Sequence, residues 1–301
     1  MKKIFYLIIL CFYSLAISLF CAVEKNAGTT GAVFLRLGVG VRAIGMGGVF
    51  TAIPDGINST YGNPAGVINI QTREFTLIHN DWISDINYGY VGYAHPITDK
   101  TAIAGSLIYV DYGSFEGRGT IGERIADPNA KDRAFSLTYG CKIEEKILLG
   151  VNIKYIKESL AGYDADAFSF DIGSVYYSEI KNLIYGFAIQ NIGNKIRFVN
   201  EEYSLPLTFR FGTSYYALQD KLILAVDLVK ARDTKFYYAL GCELNYQKFF
   251  SFRTGYTSEK DIGRGYSLGA GVQYNFFAFD YAYSPYGKLG DTHRISLTIR
   301  F

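Results

Sequence analysis

The side chains able to do chemistry are scattered through this 301-residue chain. His79, His95 and His293 are far apart, and no Ser, Cys or carboxylate stands beside them in a recognisable catalytic frame. Cys11 and Cys21 lie in or beside the apolar N-terminus, while Cys141 and Cys242 lack the close Cys or His partner that zinc and redox motifs need. Gly38-Val39-Gly40 followed by Ala43 imitates a dinucleotide-binding loop, but no strand–helix–strand unit surrounds it. No enzyme, cofactor or metal site is expected. A formal charge of +2 gives no basic stripe, which sets nucleic acid aside as a partner.

The charged residues become informative once the elements carrying them are considered. The chain has 26 Tyr, 22 Phe and 32 Gly against 6 Pro, at a mean hydropathy of +0.09. That balance suits strands facing lipid on one side and water on the other. From Glu74 to Phe301 the sequence divides into fourteen short period-two segments, beginning near 74–81 and 85–97 and ending near 277–284 and 292–301. In the last, Ile295, Leu297, Ile299 and Phe301 share one face and Arg294, Ser296, Thr298 and Arg300 the other, an alternation fitting lipid outside and a wet lumen inside. The same parity turns Cys141 and Cys242 outward on separate strands, against a disulfide. Strands two and three are indecisive, with Tyr and Ile on both parities.

Six charges fall on the inner parity: Arg210, Asp227, Glu243, Arg253, Asp280 and Arg294. Hairpin arithmetic sets Glu243 opposite Arg253, Arg210 near Asp227, and Asp280 near Arg294. The connections alternate between short turns, such as 98–100 and 144–146, and longer loops, such as 114–132, 159–164 and 192–203. Five of the six loops are longer than every turn. An even strand count with this asymmetry points to an outer-membrane barrel with both termini in the periplasm.

Met1-Lys2-Lys3 and the apolar run Ile4 to Phe20 read as an export signal over residues 1–22. The cleavage point stays open, and an uncleaved anchor or lipid attachment at Cys21 are the alternatives. Nothing further along resembles a transmembrane helix. The expected partners are outer-membrane lipid and the barrel-insertion machinery, since the chain ends on Arg300-Phe301, similar to the terminal aromatic signature of such barrels.

Between signal and strands, residues 23–73 break the pattern: Gly is dense and alternation fades. Phe34-Leu35-Arg36-Leu37-Gly38, Arg42-Ala43-Ile44-Gly45-Met46-Gly47-Gly48, Asp55 and Tyr61-Gly62-Asn63-Pro64-Ala65-Gly66 together resemble the N-terminal signature of the PorV/PorQ-type proteins, a branch of the FadL-like outer-membrane family. The likeness implies an all-β, fourteen-stranded barrel over 74–301 whose lumen holds 23–73 as a hatch, the Asn-Pro-Ala element inside it. Gly62 departs from the family, which often has a larger residue such as Trp there. A barrel of that size is too wide for side chains alone to fill, so a plug is physically reasonable. Arg42, Asp55, Asn63, Pro64 and Ala65 would tie plug to wall or touch a ligand. Phe34, Leu35, Met46 and Phe50 would line an apolar pocket. Two functions follow from the resemblance: passage or binding of hydrophobic or amphipathic small molecules, or, as in PorV-like proteins, binding the C-terminal signal of cargo in type IX secretion.

Overall fold

Strands with one apolar and one polar face have no stable open form in a bilayer, because each edge leaves unpaired backbone groups in hydrocarbon. Closure removes the edges. The computed structural model describes residues 26–83, 86–247, 249–259 and 265–301; the expected signal at 1–22 and its cleavage point lie outside these. Sixteen strands follow in order: β1 (Glu74–Asp81), β2 (Asn87–Thr98), β3 (Thr101–Ser114), β4 (Asn129–Glu144), β5 (Ile147–Leu160), β6 (Tyr163–Tyr177), β7 (Leu183–Gly193), β8 (Ile196–Phe198), β9 (Glu201–Tyr203), β10 (Thr208–Ala217), β11 (Leu222–Ala231), β12 (Tyr237–Tyr246), β13 (Phe250–Thr257), β14 (Tyr266–Tyr274), β15 (Phe277–Pro285) and β16 (Asp291–Arg300). Fourteen form one closed antiparallel barrel, in which β10 pairs with β7 and β16 returns to β1. The short β8 and β9 pair only with each other. No helix among the described residues is long and apolar enough to cross a membrane.

Parity behaves as alternation demands. Phe135, Leu137 and Tyr139 of β4 are exposed while Ala134, Ser136 and Thr138 are buried. In β16, Ile295 and Leu297 are exposed between buried Arg294, Ser296 and Thr298. Cys141 and Cys242 are free and half-buried on the outer parity.

Two expectations need correction. The loop foreseen at 159–164 is only Ala161-Gly162, both at positive φ, so β5 and β6 run on into a tight hairpin. The contrast between turns and loops is weaker than the sequence implied. The inner face is also not a uniformly wet lumen. Tyr88 and Tyr90 of β2, Ile108 and Val110 of β3 and Ile156 of β5 point inward and pack with Phe34, Leu35, Val39 and Val41. This is why β2 and β3 carry large side chains on both parities.

The N-terminal residues have little regular structure: the one-turn helix α1 (Val41–Gly45) and three short 3-10 turns, Val33–Arg36, Gly56–Thr60 and Pro64–Asn69. They meet the inner face of all fourteen barrel strands and are enclosed by the barrel. The Pro64–Asn69 turn packs on β3 to β6, and Gly56–Thr60 on β1 and β2. Thr51 lies on β7 and β10, and Asp227 of β11 bonds it. Met46 and Gly47 press on β12 and β13, α1 on β14 and β15, and Arg294 of β16 holds Gly38.

Candidate functional site

An irregular segment leaves many backbone groups without partners of its own, and inside a barrel they must be met from the wall. Inward polar side chains meet them. Asn152 donates to Thr60 O at 3.1 Å, Gln190 to Tyr61 O and Gly62 O at 2.8 Å each, and Ser214 to Ala52 O at 2.8 Å. Glu74 accepts from Ile57 N at 3.0 Å and Ser267 from Gly47 N at 3.0 Å. Much of the polar inner parity therefore serves the enclosed backbone rather than water.

The wall also thins to backbone where the segment presses on it. Gly140, Gly150 and Gly173 are cross-strand partners on β4, β5 and β6. Gly186 pairs with Gly212 on β7 and β10, and Gly241 with Gly255 on β12 and β13. A Cβ on Gly150 would lie 2.2 Å from the Pro64 carbonyl carbon, and one on Gly255 2.0 Å from Gly47 N. Strand glycines commonly mark such close approach. Sequence reasoning missed this set, although a glycine recurring on the inner parity of strand after strand was the available signal.

Asn63 makes the join most fully. Its Nδ2 donates to Thr51 O at 2.7 Å and to Ser174 O of β6 at 2.9 Å, and its Oδ1 accepts from Ala65 N at 3.2 Å. The last bond caps the Pro64–Asn69 turn, with Pro64 at the first position, where its missing N–H costs nothing. Ala65 is wholly buried against Leu148, Val175 and Ile184.

The charges form two groups. Toward the short turns, Arg42 grips Glu243 with Nε and Nη2, both at 2.7 Å, and reaches Asp55 at 2.6 Å. Arg253 donates to the same Glu243 at 2.6 Å and to Asp280. Burial opposes the charge on Arg42, but Glu243 and Asp55 outweigh it and lift its pKa well above the ordinary arginine value. Glu243 and Arg253 are direct cross-strand partners. Toward the loops, Asp227 accepts from Thr51 Oγ1 at 2.6 Å and from Arg210 at 3.3 Å. Arg210 sits two residues along from the position opposite Asp227, which faces Gly212.

The remaining expected pair does not form. Asp280 faces Ser296 and Arg294 faces Ala282, two residues out of register, and Asp280 binds Arg253 instead. Arg294 donates to Gly38 O at 3.3 Å and Leu37 O at 3.4 Å, and its guanidinium stacks 4.9 Å from the Trp82 ring.

Two cavities flank the enclosed segment. At the short-turn end is a vestibule of about 810 Å³, lined by Arg42, Asp55, Glu243, Arg253, Asp280 and Arg300 among others. At the long-loop end is a cavity of about 110 Å³, lined by the aromatic residues Phe50, Tyr61, Trp82, Tyr237, Tyr266 and Tyr286 and by Arg36, Arg210 and Glu259. Of the apolar residues read as ligand-lining, Phe50 reaches this cavity. Phe34, Leu35 and Met46 are buried in packing against the wall and line neither cavity. The histidines lie on exposed strand faces, His79 beside Asp81, His95 beside Tyr93 and His293 beside Tyr281.

Comparison with solved structures places the fold. The chain superposes on the Pseudomonas putida toluene transporter TodX with a TM-score of 0.67 and 11% identity, over 87% of this chain and 96% of that one. The Ralstonia pickettii toluene transporter TbuX gives 0.66 and 13%, over 89% and 100%. A Pseudomonas aeruginosa FadL homologue gives 0.61 and 12%, over 87% and 98%. At such identities the likeness is one of fold: a FadL-type outer-membrane barrel. No curated protein sequence matches the chain. A family model does, the one described as type IX secretion system protein PorV, over residues 20–231. That match takes in the enclosed segment, with Arg42, Asp55 and Asn63, and runs to the last residue of β11, and the chain belongs to this PorV family.

Proposed function

We propose that the protein binds small amphipathic molecules and passes them across the outer membrane, with residues 23–73 acting as a hatch and both termini in the periplasm. The observation that carries this reading is the long-loop cavity, which brings six aromatic residues, two arginines and Glu259 together at the long-loop face of the enclosed segment. Ring walls with a few convergent polar groups are what a small ligand site requires. The fold neighbours support it, since those solved structures are described as toluene transporters. Arg42, Asp55, Asn63, Pro64 and Ala65 are then hatch anchors, and Phe50 is the ligand-facing residue.

Trp82, the single tryptophan of the chain, lines this cavity and reports on it. Titrating the detergent-solubilised full chain with benzyl alcohol is expected to change Trp82 emission saturably. A flat response up to the solubility limit contradicts the reading.

A second reading rests on the family match: an interaction component that handles the C-terminal signal of secreted cargo, as the PorV description suggests. Retention of the full chain on an immobilised C-terminal signal domain, with a flat Trp82 response, would favour it. Genomic neighbours encoding a secretion apparatus would point the same way.

A further inference from the structure

The two cavities share no lining residue, and a small third void lies between them. It measures about 20 Å³. Gly40, Ala43, Phe50 and Tyr61 bound it and also line the long-loop cavity; Asp55 and Asn58 bound it and also line the vestibule. A void of this size has room for about one water. The three spaces therefore lie in series through the enclosed segment, with the smallest as the neck between the other two.

The neck has one fixed ring and one free ring. Tyr61 is tied at its tip: its hydroxyl donates to Leu35 O at 3.0 Å and accepts from Gly38 N at 2.8 Å. Burial raises the pKa of that hydroxyl, which keeps it protonated as the bond to Leu35 requires. Phe50 has no polar atom to tie. Its ring stands edge-on to Tyr61 at 5.9 Å, under the Arg210 guanidinium at 4.0 Å, and over Gly62, where a Cβ would fall 2.2 Å from a ring carbon. Gly62 thus leaves the space that the Phe50 ring fills. Swinging that ring aside gives up one cation–ring contact and one ring–ring contact, and no hydrogen bond.

What lies beyond the neck limits what passes. The vestibule is lined by Arg42, Lys221, Arg253 and Arg300 against Asp55, Asp220, Glu243 and Asp280, with Val272 and Ala278 its main apolar members. A plain hydrocarbon leaving the neck would meet charged side chains and water. A small solute with its own polar group would stay solvated.

We propose that Phe50 is the gate of this path and that the path serves small, water-compatible amphiphiles rather than plain hydrocarbons. The inference deepens the transport reading and rests on it for the class of solute. The gate itself is tested by ions, which need no knowledge of the ligand. The full chain and its Phe50→Ala, Phe50→Leu and Val67→Ala variants are reconstituted in planar bilayers, each first shown folded by its heat-dependent shift on a gel. Val67 packs against the β3 wall, away from the neck. Phe50→Ala is expected to raise single-channel conductance at least fivefold and Phe50→Leu by less, with Val67→Ala unchanged. Folded Phe50 variants conducting like the parent, or Val67→Ala opening as much as Phe50→Ala, overturn the gate. A rise in Phe50→Ala together with a flat Trp82 response to benzyl alcohol would keep the gate and discard the transport reading. A saturable response with no rise would do the reverse.

Discussion

Glu243 shows how closely the enclosed segment and the barrel depend on each other. It accepts from Arg42 of the segment and from Arg253 of the neighbouring strand, and is almost wholly buried. Neutralising it takes the shared carboxylate from buried Arg253 and half-buried Arg42, which keep Asp280 and Asp55, a loss of about 1.5–3 kcal/mol. Glu243→Gln is therefore expected to lower the urea midpoint clearly. Glu179→Gln, in an exposed pair with Lys146, should shift it by less than about 0.5 kcal/mol. Equal midpoints for the two variants would show that the network adds nothing. Gly150→Ala is the steric counterpart, because its new carbon would meet backbone that has nowhere to move. It should loosen the segment and expose it to protease, whereas Gly105→Ala, with its nearest neighbour at 3.8 Å, should not. At this scale the sequence revealed sides but not depths. Period-two alternation places Arg210, Asp227, Glu243, Arg253, Asp280 and Arg294 on the inner parity, and parity survives small errors at strand ends. Depth follows from the shape of each loop, so Asp280 and Arg294 miss each other by two residues while Glu243 and Arg253, joined by a tight turn, meet.

Among the elements, β3 to β6 are the longest strands, and β4, β5 and β6 carry the row of glycines facing Pro64. The strand count was legible because turn residues divide the apolar runs. The tight turn at Ala161-Gly162 was not, since a loop of polar residues and a strand extending beyond the membrane have the same composition. Nor was the apolar patch at Tyr88, Tyr90 and Ile108 legible as inward-facing. What it packs against is a segment remote in sequence, and no local pattern reveals that. The outward assignment of β4 has a direct test. Leu137 is 73% exposed on the lipid parity, and Leu137→Arg near the midplane is expected to cost about 2–4 kcal/mol in bilayer unfolding titrations. Tolerance of arginine there would mean that this face does not meet lipid.

For the whole molecule, the family match and the barrel geometry agree on a FadL-like outer-membrane barrel, and its function turns on the enclosed segment. Orientation is one part of this. If both termini lie in the periplasm, as proposed, protease added to intact cells should cut within 115–128 and spare the turn at 145–146; the opposite pattern would invert the molecule. Closure is the other. A fourteen-stranded wall without its contents would enclose a water-filled channel, yet here wall side chains on strand after strand are committed to holding residues 30–70 in place. The most direct measurement is the planar-bilayer conductance of a chain lacking residues 28–70 beside that of the full chain, both inserted as heat-modifiable barrels. The deleted chain should conduct ions severalfold more freely and with little gating, while the full chain stays nearly closed; equal conductance from the two would contradict the claim that this segment closes the barrel.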